Sequence, residues 1–211
     1  LSLLQHYGGP TRLLDFTYSF YVSLFFAVET STFDSVIWAV NINKLITQLS
    51  KIDDLDLKKA GPSFGKIIKQ NNELAQNIIQ NRKIKDIVYI VEPFQQHERI
   101  SIQQGLFLFP GNIEMPFEHN LCSVFEFNFK ELTSNNATED RVYSKFHTID
   151  FSNASIVKIV IPAKLHSQVL LELRKMNVTS ASLFPGLDGF ARSLSFRFGE
   201  LDYHLHRTED F

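Results

Sequence analysis

Gln5-His6-Tyr7-Gly8-Gly9-Pro10-Thr11-Arg12-Leu13-Leu14-Asp15-Phe16-Thr17 runs directly into Tyr18-Ser19-Phe20-Tyr21-Val22-Ser23-Leu24-Phe25-Phe26-Ala27-Val28-Glu29. The pair reads as a turn, an extended segment and a helix. Pro10 pushes Gly9 out of the helical region, so a helical turn carrying Leu1, Leu3 and Leu4 stops at the Gly-Gly-Pro turn. Thr11 to Phe16 is then extended. From Tyr18 to Glu29 the residues are apolar nearly all round, which predicts a central, buried helix with Thr17 or Ser19 as its N-cap.

Outward from this unit, Val36 to Val40 reads as a buried strand, and Asn43 as the cap of a short helix carrying Leu45, Ile46 and Leu49. Residues 51–85 turn polar, yet Ile67, Ile68, Leu74, Ile78 and Ile79 recur at helical spacing after the breaker Gly61-Pro62, predicting an amphipathic helical insertion. Strands are expected at Ile87–Val91, Leu106–Phe109, Val124–Phe129 and Ile156–Ile161, the last β-branched enough to be buried on both faces. Pro162 opens a helix whose face is Leu165, Val169, Leu170 and Leu173, and a second helix follows Pro185 through Phe190 and Leu194. The expected fold is α+β, a mixed and mainly antiparallel sheet with packed helices.

The 211 residues, 44% hydrophobic with 20 Phe, supply a sizeable core. A formal net charge of −2 provides no global positive field for nucleic acid or anionic lipid. The single Cys122 cannot form an internal disulfide, and no cationic leader precedes the first residues, so a reducing cytoplasm is the expected compartment. No apolar stretch approaches the roughly 20 residues of a membrane span. His204 and His206 lack a third ligand nearby, and Asp53, Asp54 and Asp56 lack the glycine and glutamate of a calcium loop, so no metal is expected.

Three segments concentrate chemistry. In the first, Gly8 and Gly9 leave backbone N–H groups uncovered, Arg12 offers a planar fork suited to phosphate, and Thr11 and Thr17 add hydroxyls. The plainer reading of Arg12 is a buried pair with Asp15 that fixes the turn. His6 and Tyr7 can orient a ribose or move a proton near neutral pH. In the second segment, Arg99 precedes Gln103-Gln104-Gly105 and a strand; the glutamine amides either recognise a sugar hydroxyl, a nicotinamide amide or a base edge, or satisfy strand-edge backbone groups. The third, Ser182-Leu183-Phe184-Pro185-Gly186-Leu187-Asp188-Gly189, reads as structural, with Phe184 packing and Asp188 in the first turn of a helix.

Together these segments, Gln5–Thr17, Arg99–Phe107 and Ser182–Gly189, resemble the FRG domain family, found mostly in bacteria and mobile genetic elements. Phe16 stands where the family often has Trp. Members carry the Phe-Arg-Gly triplet on a strand upstream of the QHYG segment, and no such triplet occurs in these residues. The expectation is an FRG-like domain over 1–211, truncated at its N-terminus, with the insertion at 51–85.

The order of elements in the family is similar to that of ADP-ribosyltransferases, an analogy of fold. It implies a nucleotide-directed enzyme with NAD as candidate substrate. His6, Tyr7, Asp15 and Gln103 would be catalytic, and Gly8, Thr11, Arg12, Thr17, Arg99 and Gln104 would bind ligand. Glutamine at the acidic position weakens that reading, because an amide cannot stabilise an oxocarbenium-like transition state by charge. The alternative is a non-catalytic module that recognises a nucleotide or a nucleic-acid end, in a phage-defence or toxin setting.

Overall fold

The computed structural model describes residues 9–52, 84–92, 98–126, 154–187 and 189–194, together with 68, 69, 72, 73, 75, 76 and 79. In chain order the elements are β1 (Leu14–Thr17), α1 (Phe20–Val28), β2 (Ser35–Val40), α2 (Ile42–Leu49), β3 (Val88–Val91), α3 (Glu98–Ile102), β4 (Gly105–Pro110), α4 (Phe117–Phe125), β5 (Ile156–Ile161), a 3₁₀ turn (Ala163–Leu165), α5 (His166–Lys175) and α6 (Ser180–Leu183). They form two compact units. The first comprises Leu1–Asp15, Trp38–Pro93 and Leu106–Lys158, the second Phe16–Ile37, Phe94–Gly105 and Ile159–Phe211.

One sheet has the order β1-β4-β3 and a second pairs β2 with β5. β3 and β4 are antiparallel, with Tyr89 opposite Phe109 and Val91 opposite Phe107. β1 also runs antiparallel to β4, since Arg12 lies near Phe109 while Tyr18 N–H bonds Gln104 O. The β2–β5 ribbon is antiparallel by the same logic: Asn41 N–H bonds Ser155 O at one end, and Ala163 N–H bonds the Asp34 carboxylate at the other. Helices packed with antiparallel sheets make the α+β class expected from the sequence.

The first unit is built on the β-branched and aromatic runs of β3 and β4. Val88, Tyr89, Ile90 and Phe109 are buried there, with Leu45 and Leu49 of α2. Asn41, rather than Asn43, caps α2: its Oδ1 accepts from Lys44 N–H, while its amide nitrogen donates to Ala154 O. Ile68 and Ala75, in the segment expected as an insertion, are both helical and buried. Ile67, Leu74 and Ile78 lie outside the described residues.

Four further expectations are corrected. Val124 and Phe125 belong to α4, not to a strand, and α4 ends at Glu126 in the left-handed conformation; residues 127–129 lie outside the described residues. Phe117, Leu121, Val124 and Phe125 fall at helical spacing, which outweighs the short alternating run that follows. β5 is only half-buried, with Lys158 and Val160 exposed, and among the described residues its strand partner is β2. β2 in turn alternates rather than being buried throughout, with Ser35 and Ile37 inside and Val36 and Trp38 exposed.

The fourth correction concerns α1. Ser19 is its N-cap, accepting from Val22 N–H, as one of the two expected caps. Val22, Phe25 and Val28 are buried at three-residue steps, but Phe20, Tyr21 and Phe26 stay about half exposed. The helix is therefore one wall of the second unit's core, not its centre. Val22 and Phe25 pack there with Leu173 of α5, Leu183 of α6 and Phe184.

Candidate functional site

The second unit joins the end of the first chemistry-bearing segment, Phe16-Thr17, to the second and third. Thr17 ends β1, and its hydroxyl donates to Gln103 O at 2.7 Å while accepting from Ser19 N–H at 3.0 Å. One side chain thus ties the start of α1 to the turn after α3. Tyr18 N–H bonds Gln104 O at 3.0 Å, completing the seam. Gln103 Nε2 donates in turn to Leu183 O at 3.0 Å, which draws in the third segment. Gln103 is therefore a three-way joint. Its amide takes the backbone-satisfying role, and the adjoining Gln104 turns in the left-handed region at φ 50°.

The third segment is shaped by contact. Thr179 and Ser182 form a reciprocal capping box at the start of α6. Phe184 is buried, as the sequence suggests, and meets Phe26 edge to face at 5.8 Å. At Gly189 a Cβ would run into the carbonyl of Phe184 and lie 2.7 Å from Ser180 O, so the chain needs glycine there to close on α6. Asp188 lies outside the described residues.

Phe184 carries two cations. The Arg99 guanidinium sits 4.6 Å from the ring centroid and that of Arg192 sits 4.4 Å from it. Among the described residues neither arginine forms an ion pair. Arg192 also lines a cavity of about 570 Å³ in the second unit. Phe25, Leu170 and Val178 give that cavity apolar walls, and Glu29, Ser180 and Ser193 add polar groups. Glu29 is anchored there by Ser180, whose hydroxyl donates to Oε1 at 2.8 Å.

Arg12 is placed in the first unit. Its guanidinium stacks 5.1 Å from the centroid of Phe109, and partial burial lowers its pKa from the ordinary guanidinium value. The expected Arg12–Asp15 pair does not form. Side chains three apart on an extended segment point to opposite faces, and Asp15 is exposed while Arg12 is half-buried on Phe109. Thr11 Oγ1 accepts from Leu13 N–H at 3.3 Å, bracing the same turn. Gln5, His6, Tyr7 and Gly8 lie outside the described residues.

Of the sequence candidates, then, Thr17, Arg99, Gln103 and Gln104 meet in the second unit, while Thr11, Arg12 and Asp15 belong to the first. Sequence reasoning passed over Arg192 and Glu29. Each had a signal: Arg192 is a single cation in the apolar run Phe190–Leu194, and Glu29 is an acid at the C-terminal end of an apolar helix, where the helix dipole disfavours negative charge.

Other acidic and basic groups form a separate cluster in the first unit. Asp86 accepts from Asn112 Nδ2 at 2.6 Å and pairs with His119 Nε2 at 3.2 Å. Asn112 is held in place by the fully buried Asn120, whose amide accepts from Asn112 N–H and donates to Asn112 O. Among the described residues no group of three or more His, Cys, Asp or Glu side chains could hold a metal ion, and no helix is long and apolar enough to cross a membrane.

No curated protein and no solved structure matches the chain. The family model of the FRG domain does match, over residues 1–35, a stretch that takes in the QHYG segment, β1, α1 and the first residue of β2. Residues 1–35 thus carry the FRG domain signature that the sequence resembled.

Proposed function

We propose that the second unit is a nucleotide-binding module that holds a phosphate on Arg99 and Arg192. One observation carries this reading: two guanidiniums share the Phe184 ring, and neither has an acidic partner among the described residues. Both lie within 5 Å of one centroid, so they are no more than roughly 9 Å apart. At an effective dielectric constant of about 20 that separation corresponds to a repulsion of about 2 kcal/mol before screening by salt. A phosphate between them turns the repulsion into two charge-assisted contacts. The adjoining cavity of about 570 Å³ falls within the usual range for small-ligand sites.

Binding without turnover is the reading favoured over an ADP-ribosyltransferase-like activity on NAD. Gln103, one of the two glutamines, with Gln104, that could stand at the expected acidic position, has its amide engaged with the Leu183 carbonyl. A bacterial defence or toxin system would use such a module to sense a nucleotide. Isothermal titration of the full-length protein with ADP and with NAD tests this. Arg99→Ala and Arg192→Ala should each weaken binding about tenfold or more, equivalent to about 1.4 kcal/mol for a lost charge-assisted contact. Absence of binding to the wild-type protein, or unchanged affinity in both variants, refutes the reading. Release of nicotinamide from NAD would move the protein to the enzyme class.

A further inference from the structure

We infer that Glu29 makes this cavity selective for ribose, so that its ligand is a phosphorylated ribonucleoside with vicinal hydroxyls on the Glu29 carboxylate and phosphate on Arg192. The inference rests on the nucleotide reading above and specifies its ligand.

Glu29 stands at the C-terminal cap of α1, with its N–H bonded to Phe25 O at 2.9 Å. An acid at that end of a helix opposes the macrodipole and is disfavoured by a few tenths to about 1 kcal/mol. It also lines a cavity whose walls include Phe25, Leu170 and Val178. The helix that carries it therefore gives no reason for an acid here. The side chain is nevertheless fixed: Oε1 accepts from Ser180, itself 92% buried with 8% of its surface exposed, at 2.8 Å. Among the described residues, Oε2 has no hydrogen-bond donor and Glu29 has no cationic partner.

A carboxylate only accepts hydrogen bonds, so a complementary ligand must bring donors. A phosphate brings none and is repelled. The vicinal hydroxyls of a ribose bring two on adjacent carbons, a spacing that acidic side chains read in other nucleotide sites. Arg192 is the opposite case, since a guanidinium only donates and suits phosphate oxygens. The cavity lining sets one acceptor-only group, Glu29, against the donor-only guanidiniums of Arg192 and Arg174, which gives the ligand a direction, hydroxyls toward Glu29 and phosphate toward Arg192. The cavity's apolar wall suits the base. Removing one hydroxyl leaves the half-buried carboxylate short of a donor, an arrangement that discriminates a hydroxylated ligand from its deoxy analogue.

The test is titration calorimetry of ADP and 2′-deoxyADP against the full-length protein, its Glu29→Gln variant and its Arg192→Ala variant, at one pH and salt concentration. The wild-type protein should prefer ADP at least tenfold. Glu29→Gln keeps an acceptor for Ser180 and should lose most of that preference, while Arg192→Ala should weaken both ligands and keep the preference. Equal wild-type affinity for the two ligands overturns the ribose inference and leaves nucleotide binding standing; because it compares ligands on one unaltered protein, this outcome does not depend on a variant folding. A preference that survives Glu29→Gln overturns the inference as well. If neither ligand binds the wild-type protein, the nucleotide reading falls, and this inference with it.

Discussion

Phe25→Ala is the sharpest test of how the second unit is held together. The ring is 4% exposed and packs with Val22, Leu173, Leu183 and Phe184. Truncating a buried Phe to Ala costs about 3 to 5 kcal/mol, the sum of lost transfer free energy and the cavity left behind. Phe25 already borders a cavity of about 570 Å³, so the new void enlarges an existing one and the ring gives up fewer contacts on that side. The expected loss is therefore near the lower end, about 3 kcal/mol. Phe20→Ala on the same helix provides the control, because that ring is 48% exposed and should change stability by less than about 1 kcal/mol. Urea unfolding followed by far-UV circular dichroism, read as the midpoint shift at constant m-value, measures both. A loss below about 1 kcal/mol for Phe25→Ala, or equal losses for the two variants, would show that the buried face of α1 is not the one described.

Two further outcomes follow from the geometry. Gln104 holds φ at 50°, a region that glycine enters without the Cβ penalty, so Gln104→Gly should leave stability unchanged or raise it by up to about 1 kcal/mol; a loss of more than about 1 kcal/mol in thermal unfolding would mean that its side chain carries the turn. Asp86 has its pKa lowered, first by the Asn112 hydrogen bond and then by that of His119. A depressed folded-state pKa contributes stability that is fully present above the ordinary carboxylate value and is lost as pH falls through the folded value. The Tm gap between the wild-type protein and Asp86→Asn should thus be widest at neutral pH and shrink below pH 3.8, the ordinary value; a gap constant down to about pH 2 contradicts the assignment.

How much could be read from the sequence varied with the kind of signal. β3 and β4 were legible because Val88–Val91 and Leu106–Phe109 are short apolar runs bounded by polar or turn residues, and both strands are buried. The end of α1 and the burial of Phe25 were legible because an almost wholly apolar run closes at Glu29. Its exposed aromatic face was not, because composition measures how apolar a segment is and not how many sides have neighbours; Tyr21 is as apolar in the pattern as Phe25 yet stays 49% exposed. β5 failed for the same reason. Six residues that are mostly Val and Ile look fit for burial on both faces, but the pattern does not show what packs on each face, and Lys158 and Val160 stay outside. Arg12 failed through direction, since adjacency in sequence to Asp15 placed the two on opposite faces of an extended segment.

The seam at Gln103 explains why two of the proposed ligand groups, Glu29 and Arg192, are not among the most recognisable residues. Thr17, Gln103 and the Leu183 carbonyl exchange hydrogen bonds over sequence separations of 86 and 80 residues, so the side chains of Thr17 and Gln103 must keep their chemical type for the three segments to meet. A polar side chain that bonds distant backbone cannot be replaced without leaving a half-buried donor or acceptor unsatisfied, at a cost of about 1 to 3 kcal/mol. Such residues make a pattern easy to see while having little spare capacity for a ligand. Glu29 and Arg192 stand one step away from that frame: Glu29 ends the helix that Thr17 and Ser19 begin, and Arg192 stacks on Phe184 beside Leu183. The frame fixes where they stand, while their open valences, one acceptor and one fork of donors, remain for a ligand. On this account, changing a frame residue such as Gln103 should lower stability and binding together, and changing Glu29 should alter which nucleotide is preferred while leaving the fold in place.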